Sequence, residues 1–184
     1  MLNYSYLCLK SVNIAFMNEK IFFEWSNDTI VTTIIYAIII IASLLYLYNE
    51  YRNTYSRIKR IGAIAIAIFL VVADIYLTSM TPLYVKYNES EICIKNIIGR
   101  KVIPYSEIIS IESIESKTIK GSTRRMASDG AGGYVGLFNN KTLGDYYMYA
   151  TQRSELVMIT TNDKKVIFNC SKRNDLVDYV KEKI

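Results

Sequence analysis

The sequence predicts an α+β protein in which a two-helix transmembrane hairpin precedes an antiparallel β-structure capped by one C-terminal helix. Three observations predict this fold. Two early stretches are long and apolar, the runs after about residue 81 are short and alternate with a period of two, and only the last segment returns to helical spacing. The predicted organisation is an N-terminal segment at 1–28, a hairpin at 29–83 and a β-domain at 84–184.

The N-terminal segment does not resemble a signal peptide. It lacks a basic start, and Lys10 interrupts its apolar run. Met17 precedes a polar stretch that would serve equally well as a beginning, in which case residues 1–16 are not translated. The intact mass of the native protein distinguishes the two starts.

The two long apolar stretches predict membrane spans at about 29–49 and 61–83. No charged residue lies between Asp28 and Glu50, and a helix of that length spans ~30 Å, the thickness of a bilayer core. The second stretch contains one charge, Asp74. The alternative, a pair of buried core helices, requires more covering protein than this chain contains.

The connection between the spans, residues 50–60, is short and carries four cations: Arg52, Arg57, Lys59 and Arg60. Short loops rich in Lys and Arg tend to stay in the cytoplasm. The sequence therefore predicts a multi-pass protein of a bacterial cell membrane, with this loop inside the cell and the C-terminal domain outside. The high content of Ile, Tyr, Asn and Lys is typical of an AT-rich bacterial genome.

Asp74 is the most unusual single residue of the predicted hairpin. An ionisable side chain at membrane depth is costly and often functional. Three interpretations stay open: Asp74 contacts the other helix or a second copy of the chain, it belongs to a proton or ion pathway, or it has no role and the membrane tolerates its cost.

Eight short runs of β-branched and aromatic residues predict the strands of the β-domain, and turn signals separate them. They read LYVKY, EICIKNI, KVIPY, IISIESI, YVGLF, DYYMYA, ELVMITT and KVIFNC. In the last segment, Leu176, Val177, Val180 and Ile184 recur at helical spacing, which predicts a closing helix.

The glycine-rich stretch at 121–133, GSTRRMASDGAGG, is predicted to be a long loop between two strands. It does not complete a phosphate-binding Gly-x-Gly-x-x-Gly turn, because position 135 is Val. Gly133 and Gly136 lie beside and inside the next strand, where glycine usually marks a bulge, a bend or a close backbone approach.

Two segments carry a family resemblance. The run YVKYNESEICIKNIIGRKVIPYSEIISIES resembles the opening of bacterial pleckstrin-homology-like (PH-like) domains of small membrane proteins, through Ile103, Pro104, Tyr105 and Ile108. The later pattern G-x-x-G-x-F followed by Y-A-T, from Gly133 to Thr151, is similar to the second half of one such family. The resemblance covers residues ~84–184 and implies a PH-like barrel or sandwich without catalytic machinery.

Six cations of the β-domain are candidate contacts for anionic lipid head groups or an acidic partner: Arg100, Lys101, Lys117, Lys120, Arg124 and Arg125. Each cation near a charged membrane contributes ~1 kcal/mol. The alternative interpretation is ordinary solvated charge.

Composition excludes several classes of protein. The chain contains no histidine, so Ser-His-Asp and Cys-His catalysis are impossible. Its three cysteines form no CxxC motif, which argues against a zinc site and a disulfide scaffold, although a Cys93–Cys170 bridge is conceivable outside the cell. We expect no catalytic, cofactor or metal site, and no nucleic-acid partner for a domain that faces outward.

The sequence thus predicts a non-catalytic, membrane-anchored interaction module that binds a protein, a peptide or anionic lipid at the membrane surface. Its expected partners are the bilayer and a protein partner or a second copy of the chain. The alternative is a small accessory or sensor subunit of a membrane complex that acts through the hairpin and Asp74.

Overall fold

The structure is a computed structural model that describes residues 20–184. The alternative start at Met17, together with Cys8, lies outside the described residues. In chain order, the described part contains a two-residue strand, two long helices, nine further strands and a short C-terminal helix.

The two long helices are α1 (Asn27–Asn53) and α2 (Arg57–Ser79). Ser26 caps α1, because its Oγ accepts a hydrogen bond from the Thr29 N–H at 3.2 Å. Both helices are candidate membrane spans by length and composition, with mean hydropathies of 2.5 and 2.4. They extend over most of the predicted loop and leave only residues 54–56 between them.

The second helix ends at Ser79, before the predicted end of the span at residue 83. The reason is Pro82, which cannot continue a helix and instead begins a strand. The β-domain therefore starts two residues earlier than the predicted boundary at residue 84.

The β-domain consists of two sheets. The first has the order β1-β2-β3-β4, and its strands are β1 (Ile21–Phe22), β2 (Pro82–Tyr87), β3 (Glu91–Asn96) and β4 (Arg100–Pro104). The second has the order β5-β9-β10-β8-β7-β6, and its strands are β5 (Ile108–Ile114), β6 (Thr123–Gly130), β7 (Gly133–Asn140), β8 (Gly144–Ala150), β9 (Leu156–Thr161) and β10 (Lys165–Asn169).

The two sheets pack as a sandwich and do not close into a barrel. Buried side chains of both sheets, among them Ile92, Ile94, Ile159 and Phe168, form one apolar cluster. Helix α3 (Arg173–Lys181) covers this cluster with Leu176, Val177 and Val180, three of the four residues predicted for its apolar face. The prediction for the fourth, Ile184, is wrong, because the helix ends before it and its side chain is 49% exposed. One pair departs from the antiparallel pattern, since β10 lies parallel to β8.

The prediction of a long loop at 121–133 is wrong. Residues Thr123–Gly130 form strand β6, which pairs with β7 and is followed by a two-residue turn at Ala131 and Gly132. Strand β6 is the edge of the second sheet, and most of its side chains are exposed. Because neither face of this edge strand is covered along most of its length, its residues need not alternate between apolar and polar. The sequence therefore lacks the alternation that usually predicts a strand.

Two glycines of β7 occupy positions that no other residue fits. Gly136 has φ of 118°, and a Cβ added there would lie 2.7 Å from the Cα of Ala127 on the neighbouring strand. Gly133 has φ of 112°, and its Cβ would lie 2.5 Å from the carbonyl oxygen of Ala150. Both the left-handed backbone and the close approach therefore require glycine.

The β-domain is discontinuous, because the chain before α1 belongs to its core. Strand β1 pairs with β2, and Ile21 and Phe23 are each only 7% exposed within the main apolar cluster. The predicted division into a separate N-terminal segment and a β-domain therefore does not describe how these residues pack.

Thr151, the last residue of the Y-A-T motif, fixes this N-terminal segment. Its side chain is fully buried and donates a hydrogen bond to the Glu24 carbonyl at 2.6 Å, while its N–H donates to Asn169 Oδ1 at 2.9 Å. The Ser26 N–H donates to the Thr151 carbonyl at 3.4 Å. The domain thus holds the chain at the residue that caps the first helix.

Cys93 and Cys170 are both free. Cys170 is 2% exposed in the core, whereas Cys93 alternates with the buried Ile92 and Ile94 and so points away from that core. Because the two thiols lie on opposite sides of the first sheet, the conceivable Cys93–Cys170 bridge does not form.

Candidate functional site

Three sets of hydrogen bonds fix the helical hairpin to the β-domain. The first is the set around Thr151. The second joins the turn between β6 and β7 to α1, where the Gly132 N–H donates to Thr33 Oγ1 at 2.9 Å. The third joins the turn between β3 and β4 to the end of α2. The domain therefore contacts both helices at the same end of the hairpin.

We call the turn between β3 and β4, residues 97–99, the tip. The Ile97 N–H donates to the Thr81 carbonyl and the Ile98 N–H to the Ser79 carbonyl, both at 3.0 Å. Ile97 and Ile98 are nevertheless 43% and 65% exposed. The tip thus presents two large apolar side chains at the level where the second helix ends.

A row of cations and aromatic rings crosses the outer face of the first sheet beside the tip. Tyr84, Lys95 and Arg100 are paired in register across β2, β3 and β4, so they lie on one face. The Lys20 Nζ lies over the Tyr84 ring, 5.0 Å from its centroid. Phe22, which is 65% exposed, packs edge-on against the same ring. We call Lys20, Tyr84, Lys95 and Arg100 the basic patch.

The basic patch carries positive charge that nearby carboxylates do not neutralise. Lys95 and Arg100 are directly opposite each other, an arrangement that destabilises a sheet when both residues have like charge. Of the three ion pairs within residues 20–184, none includes a cation of the patch. An anion placed between the two side chains would relieve this repulsion.

An apolar groove of about 640 Å³ lies on the other side of the tip. The end of α2, the tip and the face of β6 to β8 form its walls, with Tyr76, Ile98, Arg100, Met126 and Tyr147 among its lining residues. Arg100 lies at the boundary between this groove and the basic patch. Exposed apolar surface is therefore continuous from the α2 helix to the tip.

The structure separates the six predicted contact cations into two groups. Arg100 and Lys101 begin β4, and only Arg100 belongs to the basic patch. Lys101 lies beside Lys164, and this neighbouring ammonium, together with partial burial, lowers the pKa of Lys101.

The other group is Lys117, Lys120, Arg124 and Arg125, which precede or lie in β6 at the edge of the second sheet. Two of these cations have acidic partners. Lys117 Nζ is 2.8 Å from a Glu115 carboxylate oxygen, and Arg125 is 3.4 Å from Asp145. This group is therefore not brought together with Arg100 and Lys101, and its charge is partly offset.

Asp74 lies on the face of α2 that looks toward α1. It is half-buried and lines a cavity of about 410 Å³ between the two helices, beneath the β-domain. We call this space the junction cavity. Asp74 itself lies five residues before the C-terminal end of α2, or ~8 Å along the helix axis.

The fold of the β-domain agrees with a comparison against protein-family models. Residues 83–184 match the family model described as a bacterial PH domain. The chain belongs to the bacterial PH domain family. This confirms the resemblance carried by the IPY and Y-A-T motifs. No curated protein and no solved structure matches the chain.

Sequence reasoning missed most of the basic patch of this PH domain. Lys20 and Tyr84 are 64 positions apart in the chain and meet only because β1 pairs with β2. Lys95 and Arg100 carry a local signal, because they flank a short turn and therefore face each other across a hairpin. Within residues 20–184, no cluster of three or more His, Cys, Asp and Glu side chains could hold a metal ion.

Proposed function

We propose that the chain is a membrane-anchored PH module that binds anionic phospholipid head groups in the membrane that its own hairpin spans. The observation that carries this proposal is the pair of backbone hydrogen bonds from Ile97 and Ile98 to the end of α2. These bonds hold the basic patch at the level at which the second span leaves the bilayer. Binding then requires no diffusion to the surface.

The composition of the patch suits the head-group layer. Cations attract the phosphates of anionic lipids, aromatic rings such as Phe22 and Tyr84 favour the interface, and Ile97 and Ile98 favour the boundary with the acyl chains. A phosphate between Lys95 and Arg100 accepts charge-assisted hydrogen bonds from both. The apolar tip and the cations beside it thus favour the same partner.

We propose that this module acts by binding and not by catalysis. The chain has no histidine, and the four patch residues are three cations and one tyrosine, without a carboxylate base among them. Such a surface attracts and stabilises an anion.

Replacement of Lys95 and Arg100 by Gln should weaken the retention of phosphatidylglycerol about 30-fold. The two cations contribute ~1 kcal/mol each near a charged head group, which together corresponds to that factor. The measurement uses the full-length chain in nanodiscs of phosphatidylcholine with increasing phosphatidylglycerol. Native mass spectrometry then gives the mole fraction of phosphatidylglycerol at which half of the protein molecules retain this lipid.

The matched control is the double variant Arg124→Gln/Arg125→Gln, which loses the same charge at the edge of the second sheet. It should keep the retention of the unaltered chain. If the control loses the lipid and the Lys95→Gln/Arg100→Gln variant keeps it, the patch is not the binding site. If both variants lose phosphatidylglycerol equally, the retention depends on the net charge of the domain and not on the basic patch.

We further propose that the connection between the spans faces the cytoplasm and the PH domain faces outward. The cations of the connection support this orientation, since they lie in the last turn of α1 and the first turns of α2. Lys20, Lys95 and Arg100 at the opposite end belong to a folded domain, and domains translocate largely regardless of charge.

Cysteine labelling in intact cells tests this orientation. In a chain without its three natural cysteines, we expect a membrane-impermeant maleimide to label Lys141→Cys in the PH domain and to spare Tyr55→Cys. Both positions are exposed, and Tyr55 is 99% accessible. The opposite pattern would place the PH domain in the cytoplasm, and lysed cells show that both thiols react.

The alternative function, an accessory subunit that acts through Asp74, depends on where this carboxylate points. Asp74 faces a cavity inside the hairpin, whereas its neighbours Ile75 and Tyr76 are each 57% exposed on the outer surface. This placement favours an internal ligand over a contact with a helix of another subunit.

A further inference from the structure

The junction cavity is an apolar chamber with one charged group. Its walls are the facing sides of α1 and α2, including Tyr36, Ile40 and Leu77, and its roof is formed by the turn of β6 and β7. Trp25 lies at its edge. A volume of about 410 Å³ is within the range of sites that bind small molecules.

The Asp74 carboxylate has no partner within residues 20–184. The three ion pairs in this part of the chain do not include it, and no described N–H or O–H group donates a hydrogen bond to it. A carboxylate in apolar surroundings is costly unless it is paired. The cavity in front of Asp74 therefore lacks a cationic donor.

We propose that the junction cavity binds a single-chain amphiphile with a primary ammonium head, a ligand distinct from the anionic lipid of the proposed function. The ammonium donates charge-assisted hydrogen bonds to the Asp74 carboxylate, and the hydrocarbon chain contacts the apolar walls between the helices. The hydroxyl groups of Thr78 and Tyr36, which also line the cavity, accept the remaining N–H groups.

The shape of the cavity favours an amphiphile over a helix of a partner protein. A helix with its side chains is about 10–12 Å wide, and its insertion would force α1 and α2 apart. The two helices are joined by three residues at one end and by the PH domain at the other. A single hydrocarbon chain needs no such separation.

The location also explains how such a ligand reaches the site. If the helices span the bilayer, Asp74 lies ~8 Å inside the end of α2, near the boundary between head groups and acyl chains. An amphiphile in the same leaflet already places its polar head close to this depth. It enters between the helices by lateral diffusion.

Trp25 provides a direct measurement, because it is the only tryptophan of the chain and lines the cavity. The full-length chain in phosphatidylcholine nanodiscs is titrated with dodecylamine or dodecanol while the Trp25 emission is recorded. An alkylamine is protonated at pH 7. We expect dodecylamine to reach half-saturation at a mole fraction about tenfold lower than dodecanol.

Variants of the carboxylate decide whether Asp74 causes this preference. In Asp74→Asn, dodecylamine and dodecanol should reach half-saturation at the same mole fraction, so that the two midpoints are equal. Asp74→Glu should keep the preference for the amine. Glu50→Gln removes a carboxylate outside the cavity, at the other end of α1, and should leave both midpoints unchanged. The emission without ligand shows whether each variant is folded.

Equal midpoints for amine and alcohol in the unaltered chain would overturn the proposal, as would a preference that survives Asp74→Asn. The Lys95→Gln/Arg100→Gln variant separates this proposal from the proposed function. It should lose phosphatidylglycerol and keep the amine preference, because neither side chain lines the junction cavity.

Discussion

Gly136→Ala should destabilise the PH domain by about 3–5 kcal/mol, and Gly136→Val by more. Two costs combine at this position. The backbone has φ of 118°, which L-residues rarely adopt, and the new Cβ would overlap the backbone of β6 at Met126 and Ala127. The overlapping atoms belong to a strand, so they cannot move aside as a flexible side chain would.

The rate at which Cys170 reacts with a thiol-specific dye measures this loss. Cys170 is 2% exposed, and burial raises the pKa of its thiol to about 11. In the folded domain the dye therefore cannot reach the sulfur, and little of the thiol is present as the reactive thiolate. With Cys8 and Cys93 replaced by Ser, labelling follows the opening of the domain. A loss of 3 kcal/mol corresponds to labelling about 100-fold faster.

Gly144→Ala is the matched control for Gly136. Gly144 also has a positive φ, 72°, but no atom lies within 4 Å of an added Cβ. It should cost about 1–2 kcal/mol, from the backbone conformation alone. Equal labelling rates in the two variants would mean that the close approach of β6 to Gly136 adds nothing to the cost of a side chain there.

Phe23→Ala should also destabilise the PH domain by about 3–5 kcal/mol, although Phe23 precedes the first helix. Its ring is 7% exposed in the cluster that both sheets and α3 share. Truncation removes this apolar contact and leaves a cavity where β1 meets the sandwich. The Cys170 reaction in the full-length chain reports the loss directly.

Phe22→Ala serves as the comparison, because Phe22 directly precedes Phe23 at the end of β1 and is 65% exposed. Its cost should stay near the ~0.5 kcal/mol typical of a surface change. If Phe23→Ala proves as mild as Phe22→Ala, the N-terminal segment is not part of the domain core.

Local pattern was sufficient to predict most of the fold. The two long helices follow from long apolar stretches, the C-terminal helix from apolar residues at helical spacing, and eight of the strands from alternation. Strands β1 and β6 were not predicted for physical reasons. Strand β6 is an edge with exposed, polar side chains, and β1 is two residues long and exists because β2 offers it a pairing surface.

The candidate site was less predictable than the fold, because its groups meet through long-range contacts. The sequence indicates cations such as Arg100 but not the Lys20 and Tyr84 pair, whose contact depends on the register of β1. Likewise, Asp74 stands out as a charge in an apolar stretch. That it faces a cavity could not be predicted, since the cavity depends on how the PH domain caps the helices.

The pairing of β1 with β2 also sets an order for biosynthesis. The ribosome makes residues 20–26 before the helical hairpin, yet Thr151 and Asn169, which donate hydrogen bonds to the Glu24 carbonyl, are made more than a hundred residues later. The residues before α1 and those after α2 must therefore lie on the same side of any membrane before the sandwich can close. If α1 and α2 span a bilayer, a chain that inserted only one of them would leave β1 and β2 on opposite sides of the membrane. Insertion of both helices would then have to precede closure of the sandwich.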